Sequence, residues 1–68
     1  MLKKIRLQIG ISMQRLANKA SLSRPTIERV ERGHFVNEVS ASRIAAAISE
    51  LADQVYTVED LGIKTRGE

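Results

Sequence analysis

The chain has 68 residues, 43% of them hydrophobic and 28% charged, with no cysteine and a net charge of +3. That composition describes one small folded domain burying only roughly 60% of its unfolded surface, with neither a disulfide nor a thiolate metal site to brace it. Residues 1–33 carry eight Lys/Arg against two acids, and residues 34–68 carry three against six, so a polyanion would meet the first half.

Leu2, Ile5 and Ile9 recur along one face and predict a first helix, ended by Gly10. Ser12 is placed to cap a second helix whose inward stripe is Leu16, Ala17 and Ala20. After the short connection Ser21-Leu22, Ser23 caps a third helix with Pro25 in its first turn, Ile27 and Val30 inward, and Gly33 as its stop. Residues 34–39 read as a loop. Ser40 is expected to cap a fourth helix with Ile44, Ile48 and Leu51 inward. Thr57 with Asp60 has the spacing of a capping box and predicts a short fifth helix near Val58–Leu61. Residues 64–68 read as a frayed polar tail, and no strand pattern is visible. The expected fold is therefore an all-α domain of five helices over residues 1–63.

Two short helices joined across Ala20-Ser21-Leu22-Ser23 form a helix-turn-helix candidate. On the third helix Pro25, Glu28, Arg29 and Arg32 project outward at 100° per residue, with Arg24 at the edge. Arginines on one exposed face suit phosphates and the O6/N7 edge of guanine. Arg24, Glu28 and Arg32 also have the spacing of an ordinary salt-bridged surface.

The succession Ile5-Arg6, Gly10-Ile11-Ser12, Leu16-Ala17, Leu22-Ser23, Ile27 and Val30-Glu31-Arg32-Gly33 resembles the phage-repressor and Cro-like helix-turn-helix family, also called the XRE family. The resemblance spans about residues 2–61. It implies a lambda-repressor-like five-helix domain, a helix-turn-helix at about 12–32, and a recognition helix at about 24–32 lying in the major groove of double-stranded DNA. It further implies base reading by Arg24, Thr26 and Arg29, and phosphate contact by Gln14, Arg32, His34 and Asn37. Arg6 and Glu31 match a pair that ties the first helix to the third; beside the inward Ile27–Val30 stripe it is expected to be partly buried. Lys4 is a further candidate for phosphate contact, set against a purely solubilising role.

The chain departs from the family pattern at three places. Met13 stands where a phosphate-gripping glutamine is common. Ser21 replaces a turn glycine, at a cost of roughly 1 kcal/mol if the backbone there is left-handed. Pro25 occupies a position that is often polar and base-reading.

Enzymatic chemistry is not expected: only His34 is available as a base, and phosphate-binding glycine loops are absent. A single histidine without cysteine argues against a metal site, and no cofactor is implied. No apolar run approaches the ~20 residues of a membrane span, and Arg6 and Gln8 break any signal-like run, so a cytoplasmic location is expected. The expected function is a sequence-specific DNA-binding transcriptional regulator, most simply a repressor. The alternative is an antitoxin or adaptor whose main ligand is a protein. One recognition helix covers few base pairs, which calls for a homodimer on a pseudo-palindromic operator. Val55, Tyr56, Val58, Leu61 and Ile63 crowd the acidic half and are the expected dimer surface. With no region left for a sensor domain, control would come from the chain's own concentration, or from a protein antagonist or toxin.

Overall fold

The computed structural model describes residues 1–66. It contains four helices and one pair of very short strands: α1 (Leu2–Gln8), α2 (Met13–Ala20), α3 (Arg24–Glu31), β1 (Val36–Asn37), α4 (Glu38–Ala52) and β2 (Thr65–Arg66). α2 and α3 start where their serine caps dictate, whereas α1 begins after Met1 without a side-chain cap. Ser12 accepts the Arg15 N–H at 3.0 Å and opens α2. Ser23 opens α3 by accepting the Thr26 N–H at 3.4 Å, with Pro25 in the first turn.

The core is aliphatic throughout. Leu16, Ile27, Ile44, Ile48 and Leu61 are fully buried, with Leu2, Ile5, Ile11, Val30 and several alanines around them. α2 is the central helix of the packing and lies against both α3 and α4. Its small residues Ala17 and Ala20, both buried, let the neighbouring backbones approach.

The expected start of the fourth helix is corrected by three residues. Asn37, not Ser40, is the N-cap: its Oδ1 accepts the Ser40 N–H at 2.7 Å, and Glu38 then stands in the first turn, where the helix dipole favours an acid. The expected loop over 34–39 therefore already contains β1 and the first two helical residues.

The expected fifth helix is also absent. The capping box itself forms, with Thr57 N–H donating to Asp60 Oδ2 at 2.9 Å and Asp60 N–H to Thr57 Oγ1 at 3.0 Å. Only one turn follows, closed by Leu61 N–H on the Thr57 carbonyl at 3.2 Å, before Gly62 turns left-handed at φ +65. A single turn cannot offset the cost of nucleating a helix. Gly62 suits that position, because a Cβ would lie 3.2 Å from Met1 Cβ and push it aside, at an already unfavourable φ.

The expected tail is not frayed as far as Arg66. β2 pairs in parallel with β1, Val36 opposite Thr65 and Asn37 opposite Arg66, and the Val36 N–H donates to the Lys64 carbonyl at 2.9 Å. The rest of that tail, residues 67–68, lies outside the described residues. The chain's return after α4 is fixed by Ser49, whose hydroxyl donates to the Ala45 carbonyl at 2.7 Å and accepts the Tyr56 N–H at 2.8 Å. That staple seats Leu61 in the core and brings β2 back beside the loop that follows α3.

Candidate nucleic-acid interface

The connection between α2 and α3 sets the angle at which α3 is presented. Ser21 adopts the left-handed conformation (φ 58, ψ 42), and the Leu22 N–H closes the turn on the Ala17 carbonyl at 2.9 Å. The residue that departs from a turn glycine thus takes the glycine-like backbone, with the steric cost that implies. Ile27 and Val30 anchor the inner side of α3, and Arg24, Pro25, Arg29 and Arg32 are exposed on its outer side.

α3 is held from behind by a buried ion pair. Arg6 Nε donates to Glu31 Oε2 at 2.6 Å and Nη2 to Oε1 at 3.2 Å, a two-pronged contact with both side chains less than a tenth exposed. Arg6 Nη1 also donates to the Ile11 carbonyl at 2.8 Å. One guanidinium therefore ties together α1, the turn before α2, and the end of α3.

The cations on the outer side are not equivalent. Arg32 is paired with Glu28 one turn earlier at 3.0 Å. Lys19, on α2, pairs with Glu50 of α4 in an exposed contact. Arg24 and Arg29 have no acidic partner among the described residues. Thr26 is half-buried, and its hydroxyl shares a hydrogen bond with Ser23 Oγ at 2.9 Å, so it presents less free hydrogen-bonding capacity than its neighbours.

The remaining expected contact residues surround this helix or lie apart from it. Gln14, in the first turn of α2, is exposed and its amide donates to Asn18 Oδ1 at 2.9 Å. The first N–H groups of α2 have no acceptor inside the helix and form an anion-favouring end. His34 is exposed just beyond α3, with its backbone N–H on the Arg29 carbonyl at 3.0 Å. Asn37 is exposed but spends its side-chain oxygen on capping α4, which leaves its NH2 to donate. Lys4 is exposed on α1.

Sequence reasoning missed Arg66 and Phe35. A shallow cleft of ≈ 400 Å³ beside α3 is lined by Thr26, Arg29, Phe35, Asn37 and Arg66, among others. Strands of two residues carry no periodic signal, so nothing local could have placed Arg66 there.

The expected dimer surface loses two members. Leu61 and Ile63 are buried in the chain's own core, because the single turn after Thr57 folds back under α4 instead of projecting a helix. Tyr56 and Val58 are half-buried against the same core, and Val55 alone is freely presented, at 82% exposed. No helix among the described residues is long and apolar enough to cross a membrane.

Comparison with known families agrees with this geometry. The helix-turn-helix family model matches residues 2–52, which covers α1 through α4. No curated protein and no solved structure matches the chain. The capped α2, the left-handed turn at Ser21, the outward arginines of α3 and the family match converge on one conclusion: this chain belongs to the XRE-type helix-turn-helix family of DNA-binding regulatory domains.

Proposed function

We propose that the chain is a sequence-specific transcriptional repressor that lays α3 in the major groove and acts as a dimer on a pseudo-palindromic operator. The observation that carries this reading is the pair Arg24 and Arg29. Both guanidiniums are exposed on one helix, and neither is neutralised by an acid among the described residues. A planar guanidinium matches guanine O6/N7 with two parallel hydrogen bonds, which is the commonest specific base contact. Thr26 adds a methyl group and a partly engaged hydroxyl between them. Gln14 with the start of α2, Arg32, His34, Asn37 and Lys4 are assigned to phosphates, where they fix register without reading sequence. Arg32 would have to exchange Glu28 for a phosphate, which its exposed position permits.

Dimerisation follows from specificity, since one recognition helix distinguishes too few base pairs against a genome. With Leu61 and Ile63 in the core, the patch around Val55, Tyr56 and Val58 is small. Free chains then associate weakly, and paired half-sites hold them together by effective concentration. Repression is steric: an occupied operator excludes the polymerase.

Selection of bound duplexes from a random pool tests this reading. The expected product is a site with two related half-sites about 10 base pairs apart, centre to centre. A pool that enriches no sequence would contradict sequence-specific binding, and a single unpaired half-site would contradict the dimer.

A further inference from the structure

The cleft beside α3 has an unusual charge balance. Two guanidiniums, Arg29 from α3 and Arg66 from β2, line it together with Thr26, Phe35, Val36, Asn37 and Ser40, and among the described residues no carboxylate does. Of the acids next to its lining residues in sequence, Glu28 is paired with Arg32 and Glu38 lines other surfaces of α4. The geometry that brings Arg66 there is explicit. In both short strands the first residue is half-buried and the second exposed, so Val36 and Thr65 face inward, and Asn37 and its partner Arg66 face outward together. Lys64 returns to the same loop: its Nζ lies 3.9 Å from where a Cβ on Gly33 would be. Two of the three Lys/Arg in the acidic half of the chain are thus carried back to the end of α3.

Arg29 and Arg66 raise the positive potential of the cleft with no counter-charge among the described residues, which favours an anion beside Arg66 while Arg29 reaches for a base. The start of α4, whose cap Asn37 and third residue Ser40 line the cleft, adds the positive end of a helix dipole. We propose that this cleft seats a backbone phosphate of the bound duplex, and that Arg66 is a DNA-contacting residue supplied by β2, outside the 2–52 span that matches the family. The inference rests on the DNA-binding reading above and extends the interface to the last described residue. Arg66 contacts phosphate rather than base, because the cleft flanks α3 and Arg66 is not on the recognition helix.

The test is duplex binding by the full chain over a salt series, for wild type, Arg66→Ala, Arg66→Lys, Arg29→Ala and Arg43→Ala. Arg43 is the control, an exposed cation of α4 that does not line the cleft. Loss of one phosphate contact should reduce the log K against log salt slope by about 0.9 per chain bound. The wild-type advantage over Arg66→Ala should accordingly shrink about 3- to 4-fold per chain between roughly 50 and 200 mM salt. The loss should be the same on the selected site and on a scrambled duplex. Arg66→Lys should keep the slope, and Arg43→Ala should leave it unchanged. Millimolar inorganic phosphate should not substitute for duplex in shifting the Asn37 and Arg66 resonances; saturation by phosphate alone would assign the cleft to free anions and overturn the proposal. An unchanged slope in Arg66→Ala, while Arg29→Ala loses binding, overturns this proposal and leaves the DNA reading intact. Absence of duplex binding by the wild type overturns both.

Discussion

α2 and α4 both end on a non-glycine residue in the left-handed conformation, Ser21 at φ 58 and Asp53 at φ 55, yet the chain does different things after each. After Ser21, Ser23 caps a new helix, and Ile27 and Val30 give it an inner face before Gly33 stops it. After Asp53, the Thr57–Asp60 box caps one turn, and Gly62 ends it as soon as Leu61 has reached the core. A cap permits a helix; the number of residues between cap and stop decides whether there is one. The first connection therefore yields a rigid helix with a free cationic face. The second yields a plug for the core and a strand that returns beside that helix.

The comparison breaks most readily at Leu61. If the segment after α4 is a plug, Leu61→Ala should cost about 3–4 kcal/mol in denaturant unfolding, as for any fully buried leucine. A cost below about 1 kcal/mol would make the segment an appendage. On the other side, Glu31→Ala strands the buried Arg6 guanidinium and should cost about 3 kcal/mol. Arg6→Met with Glu31→Leu should recover part of that loss, because no charge is left uncompensated; the Ile11 carbonyl would still lack its donor.

Smaller effects separate the functions of the two regions. Arg24→Ala and Arg29→Ala should each lose about 1–3 kcal/mol on the selected site and relax base choice there, measured by competition against variant duplexes. Arg32→Ala should weaken all duplexes alike. Val55→Asp should leave binding to a single half-site unchanged and weaken only the two-half-site duplex. The smallest change concerns the turn. Ser21→Gly removes the left-handed strain but loosens the unfolded chain, for a net gain of about 0.5 kcal/mol in unfolding stability. A loss there would mean that the serine side chain contributes something the turn geometry does not explain.

Legibility in the sequence followed the same division. Ser12 and Ser23 as caps, the Leu16–Ala17–Ala20 stripe and the Ile27–Val30 face could be read locally, because each is a relation between residues within a turn or two, whereas the left-handed Ser21 was legible only through the family resemblance. The Asn37 cap was equally local, but Ser40 offered the same chemistry three residues later. The pairing of Val36–Asn37 with Thr65–Arg66 joins segments far apart in the chain, and the burial of Leu61 and Ile63 depends on the Ser49 staple. Neither leaves a periodic trace. The Arg66 side of the cleft was for that reason invisible until the fold closed it.

In the proposed division, α3 and its surroundings meet DNA while the turn after α4 serves the core and pairs the chains. An amide NMR titration of the full chain with its selected duplex tests this most directly. Shift changes should concentrate at the start of α2, along residues 24–37 and at Arg66. Residues 54–58 should respond only when the duplex carries two half-sites. Changes centred on residues 54–63 with α3 silent would contradict it.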